Sequence, residues 1–353
     1  MILMYCILTF KKVFIMSKKN DKNIDKNLSP SQRIQSQFQE FVLKNYSDGD
    51  KIPTCSSRLN DLLCGGLPRG IVVELYGHEG SGKSSLMLST ISYLLHAEEY
   101  KDYMFCYIDT EGGLCSSTFK TRYNIDSERV VILSVSNGEK VFDIIDSLTQ
   151  EKSCLLIVLD SVATLITNED LEAENSLGSH SRMMSRRLRR TIGLMNQSKT
   201  NTTLVLVNQL RSKIGMGDSW KGEFQYTTTG GKSIKYYSSL RIEIDRNQFI
   251  VEKDRRIGFM MNVKIHKSRF SVPYETCLIP VLFEYAISYS MELVDILFEK
   301  KYLVKGSPAS YIIWDNVDEP LFEIKQKTRY ELFLNIKDNV EHINKIKKLL
   351  DIK

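Results

Sequence analysis

The segment "IVVELYGHEGSGKSSLMLSTISYLLHAEE" constrains the fold more than any other part of the chain. Ile71 to Tyr76 read as an apolar, β-favouring strand, and Gly77 to Ser84 spell GxxxxGKS. Leu86, Ile91 and Leu94 or Leu95 then recur on one helical face, so the order is strand, glycine loop, helix. A loop with Gly77, Gly80 and Gly82 can turn its backbone N–H groups inward around phosphate oxygens, at the positive end of the helix. His78, Glu79, Ser81 and Ser85 complete the cradle. Lys83 is placed to reach the β- and γ-phosphates of a nucleotide, and Ser84 to ligate Mg²⁺. The competing reading, a glycine turn with a surface lysine, leaves the flanking strand and helix unexplained.

Two further strands point the same way. "CLLIVLDS", Cys154 to Ser161, ends in Asp160, and an aspartate at the carboxyl end of a buried parallel strand can hold the Mg²⁺ shell. Ser161 stands where a glutamate often follows that aspartate, so the group that activates water must come from elsewhere. "YMFCYIDTEGG" ends in Asp109 and Glu111, and parallel strands gather their carboxyl ends on one edge of a sheet. Glu111 is therefore a candidate base, with Gly112 and Gly113 admitting close backbone approach. Spacing alone supports a solvated loop carboxylate equally well.

The strand "TTLVLVNQ" passes into "LRSKIGMGDSWKGEFQYTTTGGKS", which has neither helical nor strand periodicity. Loops of that length are uncommon in compact domains and are usually functional or disordered. Upstream, "SHSRMMSRRLRRTIGLMNQ" places Met184, Leu188, Ile192 and Met195 on one helical face and Arg182, Arg186, Arg189 and Arg190 largely on the other. Such a charged face either contacts an anion or is simply solvated. The net charge of +5 permits an anionic partner without demanding one. In "VKIHKSRFSVPYE", Lys267 and Arg269 lie two apart on a strand, as for an exposed edge guarded by charge.

These segments together resemble the bacterial RecA family, ATP-dependent DNA strand-exchange proteins. The resemblance rests on "GGLPRGIVVELYGHEGSGKSS", "YIDTEGG", "LLIVLDSVATL", "SHSRMMSRRLRR", "VNQLRSKIG", "TTTGGKSIKYYSSLRIEI" and "MELVD", in the family's order from about Ser56 to Asp295. It implies ATP and Mg²⁺ as ligands, with Glu111 as hydrolytic base and Gln209 as sensor of the γ-phosphate. It also implies an aromatic near Phe119 against the adenine. Residues Arg211 to Gly231 would be the second DNA-binding loop, with Gly230, Gly231 and Lys232 offering N–H groups and charge to phosphates. Arg182, Ser185 and Arg189 match the family's phosphate-contacting positions, whereas Arg186 and Arg187 are extra basic residues. Lys267 and Arg269 match two lysines that reach the neighbouring subunit's ATP across a filament interface, Arg269 with a changed geometry. The first DNA loop, roughly Leu171 to His180, is shorter than in the family by about four residues.

The expected fold class is α/β, a RecA-like P-loop NTPase core with a mostly parallel central sheet. Residues 1–28 read as a disordered or mis-started segment, with Met16 opening the protein, since "MILMYCILTFKKVFIM" is too short to span a bilayer. Residues 29–50 read as a capped oligomerisation helix and linker, 51–286 as the ATPase core, and 287–353 as a small α+β lobe. Seven scattered cysteines without metal or redox spacing fit a reducing, cytoplasmic compartment. The expected partners are single-stranded DNA, homologous double-stranded DNA and further copies in a helical filament, with no membrane. A divergent member, of phage, plasmid or reduced-genome type, fits the thinning match beyond Asp295. Two rival functions are a hexameric helicase-like motor and a non-catalytic recombination mediator.

Overall fold

The structure, a computed structural model, describes residues 29, 31–32, 51–172, 178–198, 200–212, 226–306, 310–314, 320–324 and 328–350. The expectations for residues 1–28, for most of the N-terminal helix, for 173–177 in the first DNA loop and for 213–225 in the second lie outside them. Near the start, Ser29 and Gln32 exchange hydrogen bonds, Ser29 N donating to Gln32 Oε1 at 2.9 Å and Gln32 N to Ser29 Oγ at 3.3 Å. This is the reciprocal cap of a helix start.

From Lys51 onward the elements begin with β1 (Lys51–Ile52), α1 (Ser57–Leu62), β2 (Leu67–Pro68), β3 (Val72–Gly77) and α2 (Lys83–His96). Next come β4 (Met104–Asp109), α3 (Ser116–Tyr123), β5 (Val130–Ser134), α4 (Gly138–Leu148), β6 (Cys154–Asp160), α5 (Asn168–Glu172) and α6 (Ser179–Ser198). They continue with β7 (Thr203–Ser212), β8 (Tyr226–Thr228), α7 (Gly231–Tyr237), β9 (Leu240–Glu252), β10 (Arg255–Lys267), β11 (Thr276–Leu282) and β12 (Ala286–Ile287). Last are α8 (Tyr289–Glu299), β13 (Leu303–Gly306), β14 (Ser310–Trp314), β15 (Pro320–Ile324), α9 (Arg329–Ile336) and α10 (Val340–Leu350).

The main sheet runs β12-β11-β10-β9-β3-β7-β6-β4-β5, with β8 attached to β7. Strands β9, β3, β7, β6, β4 and β5 are mutually parallel, and β10 to β12 extend the sheet antiparallel. This is the expected α/β fold with a mostly parallel sheet. Buried on both faces, β3, β4, β6 and β7 have almost no polar side to show, which is why they read as apolar runs. By contrast, β5 is partly exposed, and β9 alternates buried apolar with half-exposed polar residues. Val73, Leu75, Tyr107, Val158 and Val205 pack against Leu88, Ile91 and Leu94 of α2. On the other face Val72, Ile108, Leu159 and Leu206 pack under Phe142 of α4, Leu188 of α6 and Ile234 of α7.

A separate apolar cluster joins Leu293 and Leu297 of α8 to Phe333 of α9 and Ile346 of α10. Two details depart from the sequence reading. Glu74 lies in the middle of the β3 run and is fully buried, and Met183 joins Met184, Leu188 and Met195 on the buried side of α6, with Ile192 packed against them but only partly buried. Among the described residues, no helix is long and apolar enough to cross a membrane.

Candidate nucleotide and DNA site

Gly77 ends β3 between two neighbours, level with Gln209 of β7 and Ile244 of β9. A Cβ at Gly77 would fall 1.8 Å from the Ile244 carbonyl oxygen, so only glycine fits between them. Gly82, at φ +101°, turns the loop into α2, a left-handed conformation that a side chain would strain. His78 is half-buried, while Glu79 and Gly80 are exposed at the loop's tip. Lys83 opens α2 only 7% exposed, and its Nζ donates to the carbonyl oxygens of Gly77 at 3.1 Å and His78 at 2.6 Å. Nζ also lies 3.4 Å from Ser81 Oγ. Burial pushes the Lys83 pKa down, while the charges of Asp160, Glu111 and Glu79 pull it back up.

The sheet register brings the predicted carboxylates to the same edge. Asp109 of β4 is level with Asp160 of β6, which is level with Val207 of β7, two residues before Gln209. Asp160 is 7% exposed and accepts a 2.5 Å hydrogen bond from the Tyr107 hydroxyl and another from Ser84. Burial raises its pKa, and those two hydrogen bonds oppose the rise. Asp109 shapes the next loop: Oδ1 accepts from the backbone N–H of Glu111 at 3.0 Å and Gly112 at 2.8 Å, and Oδ2 from Leu114 at 3.3 Å. The loop so folded points Glu111 at β6 and β7, where its Oε1 accepts from Ser161 Oγ at 2.8 Å and Gln209 Nε2 at 3.0 Å.

Lys83, Ser84, Asp160, Glu111 and Gln209 thus converge, while Ser85 is turned to the Tyr123 hydroxyl at 3.1 Å. Phe119 is a core residue, 4% exposed, with its ring edge-on to Tyr107 and its flank on a groove shared with Leu114 and Ile132. Tyr107, Ser161 and Asp109 carry contacts that sequence reading missed. Tyr107 passes for an ordinary strand residue, and only its place two before Asp109 on the same face could have flagged it.

The basic residues gather around α6 and α7. Arg182, Arg186, Arg189 and Arg190 are exposed, and Ser185 is half-buried. Arg182 pairs with Glu169 at 2.6 Å and Arg189 Nε donates to Tyr237 of α7 at 3.2 Å. Arg187, its side chain only 12% exposed, is tied to the exposed Asp143 of α4 at 2.7 Å. A Cβ on Gly231, at φ +72°, would meet Ser181 Oγ at 3.0 Å, so the Gly230–Gly231 turn lies directly on the first turn of α6. Arg211, at the end of β7, is exposed and close enough to lower the pKa of His180, whose shift is mainly due to burial. Lys232 is exposed.

Lys267 and Arg269 are not part of the phosphate cluster. Lys267 is level with Arg241, which is level with Glu74, three residues back along β3 from Gly77. Its Nζ donates to the carbonyls of Lys235 at 3.0 Å, Tyr236 at 3.2 Å and Ser238 at 2.7 Å, at the last turn of α7. Arg269 is exposed two residues beyond.

Comparison with known proteins gives the family. The family model "RecA N-terminal domain" matches residues 31–288. The chain is 35% identical over 296 residues to Protein RecA of Mycoplasma genitalium, covering 81% of this chain and 83% of that protein. It is 32% identical to Protein RecA of Mycoplasma mycoides subsp. mycoides, covering 92% and 99%. Protein RecA of Ureaplasma parvum is 30% identical over 92% of this chain and 98% of its own length. A solved RadB recombinase aligns with a TM-score of 0.46 at 20% identity, over 67% of this chain and 95% of that one. The phosphate loop, the paired strand-end carboxylates and the sequence matches along most of the chain make it a divergent member of the RecA family.

Proposed function

We propose that this chain is a single-stranded-DNA-dependent ATPase that forms filaments on single-stranded DNA, pairs it with homologous duplex and exchanges strands, in recombination and DNA repair. One observation carries the reading. Glu111, the candidate hydrolytic base, is hydrogen-bonded to Gln209, and Gln209 sits at the root of the segment that leads through Arg211 to Gly230, Gly231 and Lys232. ATP chemistry and the DNA-facing segment therefore share one hydrogen bond.

The residues fit the ligands that the family implies. The glycine loop turns through left-handed backbone at Gly80 and Gly82, leaving open space above Gly80, and Ser84 and Asp160 supply the hard oxygen donors that Mg²⁺ takes from protein alongside substrate phosphates. When bound, the ion would neutralise charge on the β- and γ-phosphate oxygens. Lys83 would exchange its carbonyl contacts for phosphate oxygens, a stronger charge-assisted pairing at a desolvated site. Ser161 and Gln209 both donate to Glu111 Oε1, which fixes the carboxylate's direction and leaves Oε2 to take the proton of attacking water. Gln209, by trading its bond with Glu111 for the γ-phosphate, would report the nucleotide state to the DNA-facing segment.

Arg182, Ser185 and Arg189 would contact DNA phosphates, with Arg211 and the Gly230–Lys232 turn beside them. Lys267 and Arg269 would act on the neighbouring subunit's ATP, a role supported by their distance from their own phosphate loop. Residues 29–50 would form the oligomerisation element, 51–286 the ATPase core and 287–353 a small C-terminal domain, in a protein of the cytoplasm. Strand exchange between circular single-stranded and linear duplex DNA with ATP, with electron microscopy of the complexes, tests the whole. Joint molecules and filaments are expected. A closed ring that unwinds directionally, or DNA binding without ATP turnover, would refute the reading.

A further inference from the structure

A polar network is buried beneath α7, where the sheet should be apolar. Glu74 of β3 and Asn208 of β7 are both 0% exposed. Asn208 Nδ2 donates one hydrogen to Glu74 Oε1 at 3.0 Å and the other to the Thr229 carbonyl at 2.9 Å. Its Oδ1 accepts from the backbone N–H of Gln209 at 2.9 Å. Glu74 Oε2 accepts from Arg241 Nε of β9 at 2.5 Å, and the Arg241 guanidinium lies 4.6 Å over the Tyr76 ring. Both donor hydrogens of Asn208 and its carbonyl oxygen are therefore committed. Buried polar groups of this kind are costly unless satisfied, so a core that needed only stability would place leucine or valine here.

What Asn208 joins is informative. On one side is the N–H of Gln209, the residue bonded to Glu111. On the other is the carbonyl of Thr229, immediately before the Gly230–Gly231 turn that opens α7. The intervening chain from Arg211 to Thr228 does not have to carry the connection, because Asn208 spans it in one side chain. Helix α7 then leads away from that turn and is held at its far end by Lys267. A helix fixed at both ends moves as one body, so a shift at Gln209 reaches the glycine turn through Asn208 directly.

We infer that Asn208, braced by Glu74 and Arg241, is a positioning residue that couples the nucleotide state sensed at Gln209 to the DNA-facing Gly230–Gly231 turn. This rests on the recombinase reading above. The coupling is reciprocal: DNA on the glycine turn strengthens ATP handling at Gln209 as much as ATP strengthens DNA binding.

Two variants separate coupling from folding. Asn208→Asp keeps the shape and the acceptor for Gln209 N–H but loses both donors and faces Glu74 with like charge. Adding Glu74→Gln supplies a donor toward the introduced carboxylate and removes that repulsion, yet a carboxylate still cannot donate to Thr229. ATP turnover is measured against ATP concentration with and without single-stranded DNA, alongside thermal melts. The double variant is expected to regain stability over Asn208→Asp and to keep its DNA-free turnover, while stimulation by DNA falls by about tenfold or more. Stimulation equal to the wild type in the folded double variant would overturn the inference.

Amide exchange on the wild type gives a check without any substitution. Adding a non-hydrolysable ATP analogue should slow exchange at residues 226–231, and no change there would also overturn it. If the wild type itself shows no DNA-stimulated turnover, the recombinase reading is what fails. Slowed exchange at 226–231 would then still support the link from Gln209 to the turn.

Discussion

The two halves of the main sheet handle polar groups differently. In the parallel half, β3, β7, β6 and β4 all end on one edge, so residues far apart in sequence meet there without further design. Asp160, Glu111, Gln209 and Asn208 are each hydrogen-bonded at that edge. In the antiparallel half the strand ends alternate. Lys267 is delivered to the other edge, about 10 Å back from Gly77 at roughly 3.3 Å per residue. Next to the same half, Glu292 of α8 is fully buried, and among the described residues its Oε2 has no hydrogen-bond partner. Parallel topology gathers a polar site at one edge within one chain, whereas in the antiparallel half Lys267 is spent on the carbonyls that close α7, and Glu292 Oε2 finds no partner among the described residues.

The sharpest way to break the parallel half is Glu111→Gln. The substitution keeps Oε1 as an acceptor for Ser161 and Gln209 but removes the base. ATP turnover with DNA should fall by about 10²–10⁴-fold while ATP and DNA binding survive. Lys83→Ala, by contrast, should lose nucleotide binding itself, because the phosphates lose their cationic clamp. Turnover by Glu111→Gln at the wild-type rate would remove Glu111 from its role.

Glu292 offers the corresponding test in the antiparallel half. Its Oε1 accepts from the backbone N–H of Arg58 at 2.9 Å, clamping α8 onto α1. Burial pushes its pKa from the ordinary 4.5 up to about 7, with hydrogen bonds from Ser56 and Arg58 opposing the rise. A raised folded pKa means the folded state holds the proton more tightly than the unfolded chain. The stability this adds is therefore complete below 4.5 and lost as the pH rises through about 7. The loss should be about 3 kcal/mol. Chemical denaturation at pH 5 and pH 8 should show it in the wild type, and Glu292→Gln should flatten the profile. Parallel profiles would mean the group stays ionised or hydrated.

Much of this contrast is legible in the order of the amino acids alone. GxxxxGKS, the terminal Asp160 and Glu111 can be read because the central parallel strands, buried on both faces, write themselves as largely apolar runs whose carboxyl ends carry these polar residues. Glu74 and Asn208 escape such a reading, because a buried polar pair is defined by a partner on another strand, and spacing along the chain carries no trace of it. Lys267 is legible as a basic residue on a strand, but its hold on the end of α7 depends on register, shifted by bulges between Phe259 and Met261 and between Ile265 and Lys267. The arginines of α6 read as one face. Arg187 shows that its members are not equivalent, since it is spent on Asp143.

That inequality gives a smaller, graded prediction. Arg182 and Arg189 are exposed and paired with Glu169 and the Tyr237 hydroxyl, contacts that DNA phosphates can replace. Replacing both by alanine should weaken binding to all single-stranded sequences alike. It should also lower the slope of log affinity against log salt by roughly 1.4, at about 0.7 per phosphate contact. An unchanged slope would make this face of α6 merely solvated.

The smallest signal tests whether the two halves complete each other between molecules. If Lys267 and Arg269 act on a neighbour's γ-phosphate, each working site takes Lys83, Glu111 and Asp160 from one subunit and the basic pair from the next. The register supports this division, since Lys267 lies at the edge away from its own loop. Glu111→Gln has a dead site and an intact basic pair, whereas Lys267→Ala with Arg269→Ala has an intact site and no pair. Each should be nearly inactive alone on single-stranded DNA. In a head-to-tail filament assembled at random from equal amounts, about a quarter of the interfaces join an intact site to an intact pair, so about a quarter of the wild-type turnover should return. Lys267→Ala also frees the end of α7, so co-assembly has to be verified by microscopy before the rates are compared. Mixed filaments that hydrolyse no more ATP than their components would place the basic pair's action inside its own subunit, and the antiparallel half would then need no neighbour to complete it.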